Sequence, residues 1–256
     1  DLINFISLHK FPKVSSVRGN LMINYKFTYG FLGYCLALLH LFILRNFSLV
    51  FSMTLSMQKQ VHKLVGLKTD ILPNFIDENN LDLYKYDNEL KKKKKFNLLF
   101  LGSLTKRKNP ELLIHAISKI DKYDLRLDLI GEGELKKRVS NLISRMNLNS
   151  KIRLIGFVKN PIKRFNNYDI LVLPSISEGT SRAVLESLFM GLRCVLRDTD
   201  GNSELSLVSE NVFLFRKDEE LPKTIEKAID QTSKKIKKKN FLPSKHSQSI
   251  VSQEMF

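Results

Sequence analysis

From Phe96 to about residue 232, apolar segments alternate with segments of helical periodicity. Apolar runs such as FNLLFLGSL and DILVLPS are typical of buried strands. The segment GELKKRVSNLISRM instead spaces its apolar residues about 3.6 positions apart, as an amphipathic helix does. Several strands are apolar on both faces, which is typical of a parallel sheet covered by helices. The pattern therefore predicts an α/β fold with a doubly wound parallel sheet.

The first 70 residues do not continue this rhythm and hold too few strands for a complete α/β domain. We therefore interpret residues 1–72 as the end of a domain whose beginning is absent. We predict a linker over 73–95, the doubly wound domain over 96–232 and a basic C-terminal tail over 233–256.

Ligands of a doubly wound sheet bind beyond the carboxyl ends of its strands. The loops expected there are 102–108, 131–134, 156–159, 175–181 and 198–204. Gly131 in GEGE and Gly201 in DTDGNSE are candidates for backbone approach to a phosphate or sugar. For GEGE, a tight strand-to-helix turn explains the glycines equally well.

The stretch SEGTSRAVLES holds two acids on either side of a helix start. The unpaired N–H groups of a helix N-terminus suit an anionic phosphate, and Gly179, Thr180 and Ser181 are small enough to admit one. In the loop, Glu178 can accept hydrogen bonds from ligand hydroxyls, whereas Glu186, about two turns into the helix, can bind a vicinal diol such as a ribose. The competing interpretation is that Glu178 caps the helix and that Glu186 is a surface acid.

Three consecutive basic residues follow the first strand of the domain: Lys106, Arg107 and Lys108. Cations at this edge can neutralise a diphosphate without a metal ion. Solvated loop charge is the alternative interpretation.

Taken in order, the segments LPNFIDE, GSLTKRKNPELLIHA, LIGEGELKKRV, IRLIGFVKN, DILVLPSISEGTSRAVLES and DTDGNSEL resemble glycosyltransferase family 4, also known as group 1. The resemblance covers about residues 70–215, and Glu178 and Glu186 match the family's E-x7-E signature. It implies a GT-B fold, with 96–232 as a complete Rossmann-like donor-binding domain and 1–72 as the end of a truncated, acceptor-side Rossmann-like domain.

The resemblance also implies roles for individual residues. Glu178 would contact hydroxyls of the donor sugar, Glu186 would contact the ribose, and the amides of residues 179–181 would help to hold sugar and phosphate. Lys108 matches the phosphate-binding lysine, whereas Ser103 stands where an arginine is usual, a loss for which Arg107 can compensate.

Two further positions follow from the same resemblance. Phe157 and Val158 lie where the family lines its base pocket. Arg18 lies where many relatives carry a histidine near the reaction centre; it cannot be a general base but can stabilise phosphate charge. A surface arginine is an equally good interpretation of Arg18.

The expected reaction is transfer of a sugar, with retention of anomeric configuration, from a nucleotide diphospho-sugar to a glycan or lipid-linked acceptor in bacterial polysaccharide synthesis. We expect a UDP-linked donor, no cofactor and no metal, since no His/Asp/Glu cluster has ligand spacing. The alternatives are a related GT-B nucleotide-sugar epimerase, for which no acid/base pair is found, and an inactive or donor-binding-only fragment.

The net charge of +16 indicates an anionic partner. Nucleic acid is disfavoured because the KKKKK run over 91–95 lacks interleaved aromatic residues. The apolar run Phe31–Leu44 is too short to span a bilayer and fits a buried or interfacial helix. Because the resemblance implies a lipid-linked acceptor, we expect a cytoplasmic protein that attaches peripherally to the inner face of the bacterial membrane through lysine clusters; a solvated linker is the alternative role for KKKKK.

Overall fold

The computed structural model describes residues 12–82, 84, 95–233 and 240–254. These residues form two parallel sheets, one of three strands and one of six. The predicted linker residues 85–94, most of the KKKKK run and residues 234–239 of the predicted tail lie outside the described residues.

The smaller sheet lies in the N-terminal part of the chain, in the order β1-β2-β3. Its strands are β1 (Val14–Val17), β2 (Leu49–Ser52) and β3 (Asp70–Ile71). The helices between them are α1 (Leu21–Tyr29), α2 (Leu32–Leu44) and α3 (Leu55–Val65). The helix predicted for the apolar run Phe31–Leu44 is α2, and Gly30, at φ 62°, ends α1 before it begins.

The α2 helix is buried on one side only. Its inner residues Gly33, Ala37, Leu41 and Leu44 are buried. On the outer side, Phe31 at the helix start, Leu32 and Phe42 are 92%, 68% and 58% exposed. Within the described part of the chain, no helix is long and apolar enough to cross a membrane.

The larger sheet has six parallel strands in the order β6-β5-β4-β7-β8-β9. They are β4 (Lys95–Leu101), β5 (Asp124–Ile130), β6 (Ile152–Gly156), β7 (Ile170–Leu173), β8 (Arg193–Arg197) and β9 (Val212–Phe215). Because the chain builds outward from β4 in one direction and from β7 in the other, the strand order reverses between these two strands. The doubly wound α/β prediction is confirmed.

Helices cover both faces of this sheet. The short helix α4 (Glu78–Asp82) precedes β4, and the others are α5 (Pro110–Ile117), α6 (Lys136–Arg145), α7 (Arg182–Phe189), α8 (Asp200–Ser206) and α9 (Leu221–Ser233). A 3₁₀ helix over Pro161–Asn167 connects β6 to β7. Asn109 stands at the N-cap of α5, but it is left-handed at φ 51° and its side chain makes no capping bond.

Residues 73–82 and 240–254 pack together more closely than the terms linker and tail imply. Ile76 and Ser247 form a parallel bridge, and Glu78 accepts hydrogen bonds from Ser247, Gln248 and Ser249 at the start of α10 (Gln248–Glu254). Burial opposes ionisation of Glu78, but these bonds outweigh it and lower its pKa to about 2. Ile76 also belongs to the apolar core of the larger sheet, so both segments are part of its packing.

Candidate functional site

The loops at the carboxyl edge of the larger sheet are joined by backbone hydrogen bonds. The amide of Gly102 donates to Ile130 at 3.0 Å, and the amide of Gly131 donates to Gly156 at 2.9 Å. A Cβ on Gly131, at φ 146°, would lie 1.9 Å from the Gly102 carbonyl oxygen, so only glycine fits there. This close approach of two loops explains the glycine at position 131, and the ligand contact expected for Gly131 stays a prediction.

A charged cluster lies at this edge, where the strand order reverses. Lys108 Nζ contacts Glu178 Oε1 directly, and Arg107 Nη1 lies 3.2 Å from the same oxygen. Arg107 also donates to the Ser177 carbonyl at 2.6 Å. The side chains of Lys108 and Glu178 are each only 11% exposed.

These contacts decide between the earlier interpretations. Lys108 is not solvated loop charge, because its ammonium group is buried against a carboxylate. Glu178 does not cap α7; Ser181 holds the N-cap position and receives no side-chain capping bond. The cluster therefore holds two cations and one anion in a recess, an arrangement that favours a further anion.

Packing positions the lysine. The Lys108 side chain runs over Gly102, where an added Cβ would lie 3.4 Å from the lysine Cε. The amide of Ile176 donates to the Arg107 carbonyl at 2.8 Å. The loops after β4 and β7 are thus bonded together, which fixes the basic residues beside Glu178.

The turn Gly179–Thr180 contacts the N-terminal part of the chain. A Cβ on Gly179 would lie 2.7 Å from Met53 Sδ and 3.2 Å from the Arg18 carbonyl oxygen. The Thr180 amide donates to Met53 Sδ at 3.0 Å. In this structure the Thr180 amide is therefore engaged within the protein, which differs from the prediction that it faces a ligand.

Gly201, in the first turn of α8, packs on the same turn. A Cβ there would lie 2.1 Å from the Gly179 carbonyl oxygen. The glycine is required for close approach of two backbones, and it brings α8 against the turn between β7 and α7.

Glu186 is buried, at 8% exposure, in the middle of α7. The interpretation of Glu186 as a surface acid is therefore wrong. Among the described residues it forms an ion pair with the exposed Arg182, at 3.3 Å. Burial raises the pKa of Glu186, and Arg182 only partly opposes this shift. A buried carboxyl with one exposed partner can accept further hydrogen bonds from ligand hydroxyls.

The other predicted residues differ in how exposed they are. Ser103 is exposed and lines a cavity of about 430 Å³ with Lys106, Arg107, and Asn24 and Phe27 of α1. Phe157 is 74% exposed and Val158 is half-buried, both directly after β6. The Arg18 side chain is exposed, although its backbone touches the Gly179 turn.

Two contacts that the sequence did not predict join the N-terminal sheet to this edge. Glu204 of α8 accepts hydrogen bonds from the first amides of α3, at Leu55 and Ser56. Asn74 donates to the Thr180 carbonyl at 2.9 Å. Glu204 is visible in the motif DTDGNSEL, but nothing in the sequence indicates that its partner is a helix about 150 residues earlier.

A model of the family described as glycosyl transferases group 1 matches residues 85–241, which is more than half of the chain. The chain belongs to this family. The resemblance stated from the sequence motifs is thereby confirmed, and the α/β architecture is that of the GT-B glycosyltransferases.

Two curated relatives are glycosyltransferases with diphospho-undecaprenol in their names. One is the N-acetylgalactosamine-N,N'-diacetylbacillosaminyl-diphospho-undecaprenol 4-alpha-N-acetylgalactosaminyltransferase of Campylobacter jejuni, 38% identical over 51% of this chain and 35% of its own length. The other is the UDP-Gal:alpha-D-GlcNAc-diphosphoundecaprenol alpha-1,3-galactosyltransferase of Escherichia coli, 28% identical over 54% of this chain and 38% of its own length. The matches thus span less than half of either relative.

A solved structure extends the likeness of fold over nearly the whole chain. HepE of Anabaena, in complex with UDP and glucose, aligns over 94% of this chain and 67% of its own with a TM-score of 0.73 at 20% identity.

The described residues contain no group of three or more His, Cys, Asp or Glu side chains arranged to hold a metal ion.

Proposed function

We propose that this chain carries the donor-binding part of a retaining glycosyltransferase that moves a sugar from a UDP-linked donor to a lipid-linked saccharide. The observation that carries the proposal is the buried cluster of Lys108, Arg107 and Glu178, which lies where the strand order reverses. Family membership adds the reaction class, and the names of the relatives add the class of acceptor.

The chemical task is to stabilise charge on the diphosphate as its bond to the anomeric carbon breaks. Lys108 and Arg107 supply two cations for this charge, and they require no metal ion because both are already fixed by packing. Ser103 stands where the family usually has an arginine, and Arg107 supplies the positive charge that this arginine would provide. We propose metal-independent transfer on this basis.

Glu178 and Glu186 are proposed to recognise hydroxyl groups. Without donor, the cations neutralise Glu178; when a diphosphate binds them, the carboxylate becomes available to the donor sugar. Glu186, with its one exposed partner, is proposed to accept hydrogen bonds from the ribose. The exposed Phe157 and the half-buried Val158 are proposed to contact the base, and Arg18 to lie beside the reaction centre.

The acceptor is proposed to be a saccharide on a polyprenyl diphosphate carrier, which keeps the enzyme at the inner face of the cytoplasmic membrane. The exposed apolar side chains at the start and outer side of α2, Phe31, Leu32 and Phe42, support this peripheral attachment. The lysine clusters that suggested it lie mostly outside the described residues.

Transfer from radiolabelled UDP-sugars to a bacterial lipid extract tests the proposal, with label in the organic phase as the readout. Glu178→Gln keeps the shape of the side chain and removes its charge. We expect it to lower transfer by about 100-fold while UDP affinity stays within about threefold. Glu210→Gln, at an exposed acid, is the matched control. Full transfer by the Glu178→Gln variant would refute the assigned role.

A further inference from the structure

A second polar cavity, of about 490 Å³, lies on one face of the larger sheet, toward the amino ends of its strands. The strand register places Asn97 beside Arg126 and Asp128 beside Arg153. Arg164, Asn166 and Asn167 of the 3₁₀ helix before β7, and Tyr168 directly after it, complete the lining. Arg126 lies five residues before Gly131, which places it about 16 Å along the strand from the loop edge of the sheet.

Arginine dominates the charge of this cavity. Three arginines line it, Arg126, Arg153 and Arg164, against one carboxylate. That carboxylate, Asp128, is buried and already engaged through both oxygens. Arg153 Nε donates to Oδ1 at 2.7 Å and Arg153 Nη2 donates to Oδ2 at 2.5 Å, and the Tyr168 hydroxyl donates to Oδ2 at 2.8 Å. Asp128 thus balances one arginine and leaves two positive charges.

Arg126 supplies the observation that points to a ligand. Its Nε atom is buried and makes no hydrogen bond within the described residues. A buried guanidinium N–H without an acceptor is unfavourable, and such groups normally have a partner. The neighbouring carboxylate does not provide one, because the bonds of Asp128 go to Arg153 and Tyr168. Because Nε has almost no accessible surface, an oxyanion in the cavity would be bound by the Nη1 and Nη2 groups of Arg126, which likewise make no hydrogen bond within the described residues.

We propose that this cavity binds the phosphate group of a small phosphorylated metabolite, at a site separate from the donor cleft. A phosphate monoester carries between about 1.5 and 2 negative charges at pH 7, which matches the two unbalanced arginines. A guanidinium group can donate two parallel hydrogen bonds to phosphate oxygens. The volume exceeds that of inorganic phosphate and lies in the range of small-molecule sites, so a hexose phosphate fits. The Asn97 and Asn167 side chains, which line the same cavity, can bind its hydroxyl groups.

Isothermal titration calorimetry with the donor cleft saturated by UDP tests the site. The probes are inorganic phosphate and glucose 6-phosphate, and glucose is the uncharged control. We expect one site per chain for both anions and no heat from glucose. Tighter binding of glucose 6-phosphate than of inorganic phosphate would support a phosphate ester as the ligand, and equal or weaker binding would contradict it in favour of free phosphate.

Arg126→Gln and Arg164→Gln should each weaken binding of both anions by about tenfold, as expected for a charge-assisted contact. Arg145→Gln, at an exposed arginine on α6, removes the same charge elsewhere and should leave the affinity unchanged. Arg164 is exposed, so its variant serves if Arg126→Gln fails to fold. No binding of either anion with UDP present, or an equal loss in the Arg145→Gln variant, would overturn the proposal.

Discussion

The link between Glu204 and α3 allows a quantitative prediction. The Glu204 carboxylate accepts hydrogen bonds from the Leu55 amide at 3.1 Å, the Ser56 amide at 2.7 Å and the Ser56 hydroxyl at 2.7 Å. Glu204→Ala removes all three and leaves two first-turn amides of α3 without this partner. A bond to a charged acceptor contributes about 1.5–3 kcal/mol when buried, and loss of a helix-capping side chain costs about 0.5–2 kcal/mol. Since the site is half-buried and water replaces part of the lost bonding, we expect Glu204→Ala to lower the free energy of unfolding by about 2 kcal/mol.

Urea unfolding and hydrogen exchange measure this change. With an m-value of about 3 kcal/mol/M, the unfolding midpoint of Glu204→Ala should fall by about 0.7 M. Glu204→Gln keeps one oxygen acceptor, so its unfolding midpoint should fall by about half as much. The Leu55 and Ser56 amides should exchange faster in both variants. Glu210→Ala, at an exposed acid, should match the wild type. If Glu204→Ala unfolds at the wild-type midpoint with unchanged amide protection, the carboxylate does not hold the two sheets together.

Three further predictions concern other parts of the chain. The pKa of Glu78 falls from 4.5 to about 2 on folding, so its ionised form stabilises the fold above about pH 4.5 and this stabilisation is lost as the pH falls toward 2; Glu78→Gln should therefore flatten the stability profile in acid unfolding, and an unchanged profile would contradict it. Gly201→Ala forces a methyl group against the Gly179 carbonyl and should destabilise the protein by about 1–3 kcal/mol in thermal unfolding, whereas wild-type stability would show that the two backbones separate easily. Glu186→Gln should weaken UDP binding by about tenfold in calorimetry but leave the binding of 2′,3′-dideoxyuridine diphosphate, which lacks the ribose hydroxyls, unchanged; equal losses of affinity for both ligands would exclude a ribose contact.

The sequence predicted the larger sheet well because its strands and helices have strong, local signals. Runs such as Leu98–Leu101 and Ile170–Leu173 are apolar throughout, and the helices between them keep their periodicity. The loop positions then follow from the topology, which is why Lys108 and Glu178 were expected at the same edge of the sheet.

Contacts between distant segments could not be predicted in the same way. The bond from the Thr180 amide to Met53, and that from Glu204 to Ser56, depend on how the two sheets meet. No periodicity or motif encodes this arrangement. The sequence predicts a linker and a tail for residues 73–82 and 240–254 because each segment is short and polar, and their packing arises only when the two meet.

The proposed role of Lys108 as the phosphate ligand is tested most directly by calorimetric titration of UDP into the chain and its Lys108→Met variant. We predict one UDP site in the wild type and a loss of affinity of at least about tenfold in the variant. Lys137→Met, at an exposed lysine on α6, should bind UDP as the wild type does. Wild-type affinity in the Lys108→Met variant would contradict the placement of the diphosphate at this edge of the sheet.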